Sequence, residues 1–334
     1  MNKSAQERAR KLGKRKIASS TKDLFEVLVA APMSAGKSSF INALIGDELL
    51  HVANEATTAC LTRVEHRKGA RSFRGACYLD SGDVLATQRD ASAELLRDWN
   101  SDGRVKRIDL KGSFNVAPRP ASGLVFYDTP GPNNSQNERH GQLMRDAVQQ
   151  IPFKALCYVL NAGQLGTLDD RACLDLLRDG QADDPAHETY FVLNKIDLLD
   201  PENGEDIGDH VGRAHQYLSE AGFHDPIVIP TIADAALYAR KALNRSDMTR
   251  LQQSKLRRTL DEFSDRKRSL IHVSIAPDAV KKRLFRELDS LEQRSDALAS
   301  DKKLAEENEL QQLITYSGLR TVEMLIQRQR RLAE

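Results

Sequence analysis

Three short segments carry residue types that together could handle a phosphorylated purine. The first, Ala31-Pro32-Met33-Ser34-Ala35-Gly36-Lys37-Ser38, fits a phosphate loop with alanine at the usual first glycine. It follows the apolar run Phe25-Glu26-Val27-Leu28-Val29-Ala30-Ala31 and precedes Ser39-Phe40-Ile41-Asn42-Ala43-Leu44-Ile45, which reads as a helix. That order aims loop amides and the positive end of a helix at a phosphate. Gly36 lets the backbone approach closely, Lys37 is placed to reach β- and γ-phosphates, and Ser38 to ligate Mg²⁺. The second segment, Asp128-Thr129-Pro130-Gly131, leaves another apolar run, Leu124–Tyr127. A carboxylate at such a strand end can hold Mg²⁺ through water, and the Gly131 amide can meet a γ-phosphate. The third, Asn194-Lys195-Ile196-Asp197, follows Tyr190–Leu193. Asp197 can accept both the N1–H and N2–H₂ donors of guanine, a pair that adenine lacks, so such a site rejects the wrong base by about ten-thousand-fold. Asn194 and Lys195 would brace the loop, with the lysine stem over the base. Each segment alone has a plainer reading as a turn, a strand exit or a helix cap. Their order and strand contexts point to a guanine-nucleotide site.

The elements that must position these residues are legible as apolar runs. Leu124–Tyr127, Ala155–Leu160, Tyr190–Leu193 and Ile227–Ile229 repeat the first run's pattern, each strand-length and followed by polar, helix-like sequence. Strands buried on both faces and alternating with helices predict an α/β fold with a parallel sheet. Beyond about residue 246 the strand signals stop. Leu256, Leu260 and Phe263 keep helical spacing, as do Leu284, Leu288, Leu291 and Leu298, and again Leu319, Val322, Leu325 and Ile326. Two or three amphipathic helices are expected there.

Composition narrows the setting. The 334 residues suffice for one large domain with an accessory element, and a net charge of +1 gives no global sign of a nucleic-acid binder. Residues 1–22 are polar and basic, a solvated helix or tail, or a basic helix for a membrane or partner. Cys60, Cys77, Cys157 and Cys173 form no Cys-x-x-Cys pair and read as reduced thiols of a cytosolic protein. No apolar run approaches the roughly 18 residues of a transmembrane helix, and the N-terminus lacks the apolar core of a signal peptide. A cytoplasmic protein is expected, with any membrane contact peripheral.

At these motifs the sequence resembles the GTPase domain of the dynamin superfamily, especially the bacterial dynamin-like proteins. Four segments carry the likeness: Met33 to Leu44, Thr57-Thr58-Ala59 at the position of switch I, Asp128 to Asn134 at switch II, and Ser317-Gly318-Leu319 with Glu323 at the close of the domain. The resemblance implies a Ras-like P-loop GTPase domain enlarged before switch II. Consistent with that, 90 residues separate Ser38 from Asp128, and residues 71–118 could supply extra strands and helices. It further implies that Thr58, with Thr57 as close competitor, binds Mg²⁺ and positions the attacking water. Ser34 would help hold a charge-compensating monovalent cation, K⁺ or Na⁺, in place of an arginine finger. Met33 stands where classical dynamins often carry a polar residue. Ser39 belongs to the same loop, and Ile232-Ala233 stands at the usual Ser-Ala base-contact pair, where contact with the base is by backbone alone.

On this reading the chain divides into a basic tail (1–22), a dynamin-type G domain (23–245), a helical insertion or neck (246–314) and a terminal helix packing on the G domain (315–334). About 70 residues of insertion are too few for both a long stalk and a lipid-binding tip. The expected activity is GTP hydrolysis coupled to nucleotide-dependent homodimerisation of the G domain. Two rivals stand beside it: a regulatory subunit that binds GTP, hydrolyses it weakly and acts with a partner dynamin-like chain, and an assembly-factor GTPase. The last would need an RNA-binding module, and no Gly-x-x-Gly loop in a suitable context and no basic-aromatic surface is visible.

Overall fold

The computed structural model describes residues 24–52, 60–130, 138–181, 187–264, 269–298 and 301–334. The expectations for the 1–22 tail, for Thr57 and Thr58, and for Gly131 therefore lie outside the described residues.

Among the described residues nine strands form one sheet: β1 (Phe25–Ala30), β2 (Leu61–His66), β3 (Arg74–Tyr78), β4 (Val84–Gln88), β5 (Arg107–Gly112), β6 (Leu124–Asp128), β7 (Ala155–Asn161), β8 (Glu188–Asn194) and β9 (Ile227–Thr231). Their spatial order is β4-β3-β5-β2-β6-β1-β7-β8-β9. Every predicted apolar run is one of these strands, because such a run pays no penalty for burial on both faces. β1 runs parallel to β6 and β7, and β8 and β9 continue the parallel series. The enlargement lies between β1 and β6 in sequence. There β2 is antiparallel to β6 and parallel to β5, while β3 is antiparallel to both β5 and β4.

The helices are α1 (Lys37–Ile45), α2 (Ala93–Ser101), α3 (Glu138–Gln150), α4 (Leu168–Gln181), α5 (Ile207–Glu220), α6 (Ala233–Leu243), α7 (Arg250–Ser264), α8 (Ser269–Val273), α9 (Asp278–Leu298), α10 (Lys302–Tyr316) and α11 (Leu319–Ala333). α1 packs on α6 and touches α11, and α3 packs on α4. β6-α3-β7, β7-α4-β8 and β8-α5-β9 are parallel crossovers that run in one direction along the sheet, so right-handedness puts α3, α4 and α5 on one face, while α1 packs with α6 and α11. The chain therefore leaves β1 and β6 toward opposite faces, which opens a crevice at their C-terminal ends, the usual ligand position in such sheets.

Among the described residues the helical extension contains two helices that the periodicity did not announce, the short α8 and the longer α10. α10 packs on α9 and on α6 and buries Asn308 and Gln312 beside Leu313. Polar side chains on its buried side blur the apolar stripe. Asn308 Nδ2 donates to Leu291 O at 2.8 Å and to Ser295 Oγ at 2.7 Å, and Gln312 Nε2 donates to Ser295 Oγ at 2.8 Å, so the pair satisfies itself against α9. All four cysteines are free and buried. Burial pushes the thiols of Cys60 and Cys173 up to about 12, which suppresses the thiolate.

Candidate nucleotide site

Strand register brings the site together. Val29 of β1 is level with Asp128 of β6, and Asn194 of β8 is level with Asn161 on one side and Thr231 on the other. The three sequence segments therefore leave the same end of the sheet, and the loop between β1 and α1 lies among them. Thr129 Oγ1 donates to Val29 O at 3.0 Å and ties the β6 exit to the start of that loop.

Within the loop Ser34 adopts φ 63° and Gly36 φ 88°, left-handed conformations that fold the backbone back before α1 begins. Gly36 is required twice over. Its φ suits glycine, and a Cβ there would stand 2.6 Å from Asn194 Nδ2. No side chain caps the first turn of α1, so its amide donors are left to an external acceptor.

Lys37 and Asp128 form a buried ion pair, and Ser38 Oγ donates to the other carboxylate oxygen, Oδ2, at 3.3 Å. One ammonium, one hydroxyl and one carboxylate thus meet at the mouth of the loop. The hydroxyl and carboxylate are hard oxygen donors of the kind Mg²⁺ takes, and they fit that ion when substrate phosphates complete its shell. Among the described residues no cluster of three or more acidic, histidine or cysteine side chains makes a metal cage of its own.

Asn194 is buried and spends both ends of its side chain. Nδ2 donates to Ala35 O at 3.2 Å, while Oδ1 accepts from Ala233 N at 3.1 Å and from Thr231 Oγ1 at 3.3 Å. Lys195 Nζ donates to Ser34 O at 2.8 Å, and its own backbone is left-handed at φ 64°. The phosphate loop and the segment leading to Asp197 are therefore one hydrogen-bonded unit. Asp197 itself reaches solvent, yet the surrounding protein desolvates it and raises its pKa above the ordinary carboxylate range. Asp234 pushes the same way, and Lys255 opposes. Such a carboxylate gains from N–H donors that arrive with a ligand.

Other predicted positions are placed as follows. Met33 and Ser34 are exposed, whereas Ala35 and Ser39 are buried. Ile232 and Ala233 are buried at the start of α6, and both amides are used internally, Ile232 N toward Ser317 O at 2.8 Å and Ala233 N toward Asn194. The expected backbone contact with the base is thus left without those two donors. Arg63 Nη1 is bound to Glu65 at 2.8 Å and its Nε donates to the Tyr127 hydroxyl at 3.3 Å, while Arg67 also pairs with Glu65. Sequence reasoning missed Thr231, whose only signal is its place just before Ile232-Ala233. It also missed Arg240, which caps Ala43 O on α1 and pairs with Glu323 of α11.

The family model described as Dynamin family matches residues 27–196 of this chain, just over half of it. The chain belongs to the dynamin family. Its members are GTPases, and the matched span holds the first two motifs and reaches Ile196 of the third, one residue short of Asp197. Among curated relatives, a bacterial dynamin-like protein of Nostoc punctiforme is 25% identical over 205 residues, covering 58% of this chain and 28% of that protein. Dynamin-like protein A of Bacillus subtilis is 24% identical over 189 residues, covering 57% of this chain and 15% of that protein. The dynamin-family chain therefore aligns with a minor part of either relative's length. A solved chain from an oligomerised bacterial dynamin pair, described as sensing and tethering membranes at long range, is 19% identical with a TM-score of 0.48, covering 91% of this chain and 55% of that one.

Proposed function

We propose that this chain binds GTP with Mg²⁺ at the C-terminal ends of β1, β6 and β8 and hydrolyses it, with turnover coupled to pairing of two G domains. The observation that carries this reading is the meeting of Lys37, Ser38 and Asp128 in a loop that Asn194 and Lys195 tie to Asp197. In this reading Lys37 exchanges its ion pair with Asp128 for the β- and γ-phosphates, while Asp128 and Ser38 turn to the metal. Bound Mg²⁺ neutralises charge on the transferring phosphate. The phosphate-loop residues from Met33 to Ser39 hold the phosphates through the backbone and the first turn of α1. Asp197 reads guanine, and Ile232 and Ala233 frame the base. Thr58 ligates the metal and positions the attacking water, Gly131 meets the γ-phosphate, and Ser34 holds the monovalent cation.

Pairing is supported by the rim of the site. Met33, Leu168 and Leu198 are 41%, 90% and 63% exposed, and they follow the C-terminal ends of the adjacent strands β1, β7 and β8. Apolar side chains on the rim of a polar site suit burial against a second such face. The same reading keeps residues 23–245 as G domain, 246–314 as helical insertion and 315–334 as the returning helix, supported by the contacts of α11 with α1, β8 and β9. The setting is cytoplasmic with peripheral membrane contact. No helix among the described residues is long and apolar enough to cross a membrane.

Lys37→Ala tests the assignment. Losing a charge-assisted contact to phosphate should weaken GTP by about 3 kcal/mol or more, over a hundredfold. Calorimetric titration should lose the GTP signal while circular dichroism stays unchanged. Wild-type affinity in this variant would sink the phosphate-loop assignment.

A further inference from the structure

Where the helical extension meets the sheet, residues 115–118, the end of α6, and parts of α9, α10 and α11 surround a cavity of about 690 Å³. That volume suits a compact small-molecule ligand. Its wall is rich in guanidinium: Arg240, Arg245, Arg294 and Arg320 face it, against the carboxylates of Glu287 and Glu307.

The four arginines fall into two pairs. Arg240 and Arg320 are buried and share Glu323, and Arg320 also holds Glu287 at 2.9 Å. Their charges are matched within the protein. Arg245 and Arg294 are exposed and make no ion pair among the described residues. With Glu287 and Glu323 committed to the buried pair, these two guanidiniums are left opposite Glu307 alone. Gln311 and Ser290 add neutral polar groups to the wall. Two unmatched guanidiniums on a convex surface would simply be hydrated. On the rim of a concavity their field is focused inward, and their planar forks match phosphate oxygens in pairs.

We propose that this cavity binds a small phosphate-bearing anion, with Arg245 and Arg294 as its principal contacts. The ligand would touch α6 and the loop before β6 on one side and α9 and α10 on the other, so it would tie the extension to the sheet. It would also sit beside Arg240, which caps α1, the helix that begins with Lys37 and Ser38. The phosphate could belong to a free metabolite or to a lipid headgroup, and the test separates the two sources.

The probe is glycerol 3-phosphate, titrated calorimetrically into wild type, Lys37→Ala and the double variant Arg245→Ala/Arg294→Ala. The Lys37→Ala arm keeps binding at the phosphate loop apart from binding here. Both altered arginines are exposed, so an unchanged melting midpoint without probe is the check on folding. The expected result is saturable binding in wild type and in Lys37→Ala, weakened about tenfold or more in the double variant. Flotation with phosphatidylglycerol vesicles is the second arm. Vesicle binding that wild type shows and the double variant lacks, without binding of the soluble probe, assigns the phosphate to a headgroup. The proposal is overturned by absence of both kinds of binding, by binding that the double variant retains, or by binding that disappears only in Lys37→Ala.

Discussion

Asp197 is the residue where chemistry and stability pull in opposite directions. Its desolvation raises the carboxyl pKa, so the ionised side chain that guanine requires is disfavoured until donors arrive. The sign follows. Folding favours the protonated form relative to the unfolded chain, so this group's contribution to stability is fully present at low pH, below the unfolded pKa, and is lost as pH rises through the raised pKa. Guanine donors bind only the ionised form, so GTP affinity is present above the raised pKa and falls as pH drops through it. That fall should begin above the ordinary carboxylate range. Asp197→Asn should abolish this pH dependence, weaken GTP by about tenfold or more, and favour xanthosine triphosphate, whose C2 carries an oxygen. The same variant should melt no lower than wild type, since it removes a poorly solvated charge. Retained preference for GTP over xanthosine triphosphate in competition binding would mean that Asp197 does not read the base.

At the scale of elements, the site depends on the end of β9 being held in register with β8, and α11 contributes to that from far along the chain. Gly318 begins α11 at φ 77°, and a Cβ there would stand 2.0 Å from Pro230 O in β9. Ser317 O meanwhile accepts from Ile232 N at 2.8 Å. Gly318→Ala combines a left-handed non-glycine residue with a backbone clash, and should cost about 2–4 kcal/mol in denaturant unfolding. Because the clash pushes on the strand that leads to Thr231 and Ala233, it should also loosen the Asn194 latch. Nucleotide affinity should fall together with stability in this variant. A Gly318→Ala protein with wild-type unfolding free energy would show that the α11 start is not clamped on β9.

At the scale of the whole molecule, turnover should depend on a second copy. Arg63 and Arg67 are committed to Glu65; in the function proposed above, a cation near Ser34 or a partner would compensate the transition-state charge. Pairing across the rim of Met33, Leu168 and Leu198 would exclude water and strengthen each electrostatic contact. GTP turnover per molecule should therefore rise with protein concentration and depend on K⁺ or Na⁺ at fixed ionic strength. Ser34→Ala should lose the cation response and most of the rate, about tenfold or more. Rates that are flat with concentration and indifferent to the cation would instead describe a self-contained switch.

The sequence by itself determined the α/β class, the central strands and the residues of the three motifs. Apolar runs such as Phe25–Ala30 can only be strands buried on both faces, and Gly36-Lys37-Ser38, Asp128 and Asn194-Lys195-Ile196-Asp197 carry their chemistry in residue type and local order. β2 was hidden because Arg63 and Glu65 interrupt its apolar pattern. Glu65 is 1% exposed, and ion pairs with Arg63 of the same strand, with Arg67 just beyond it and with Lys111 of β5 make its burial tolerable. α10 was hidden for the same reason, since Asn308 and Gln312 are buried against groups of α9 that lie elsewhere in the chain. Tertiary structure alone decided that Asn194 latches Ala35 to Ala233, that Arg240 caps α1 while holding α11, and that the Ile232 amide is spent on Ser317. Each of these joins residues far apart in sequence through a hydrogen bond, and such a bond leaves no periodicity for a sequence to display.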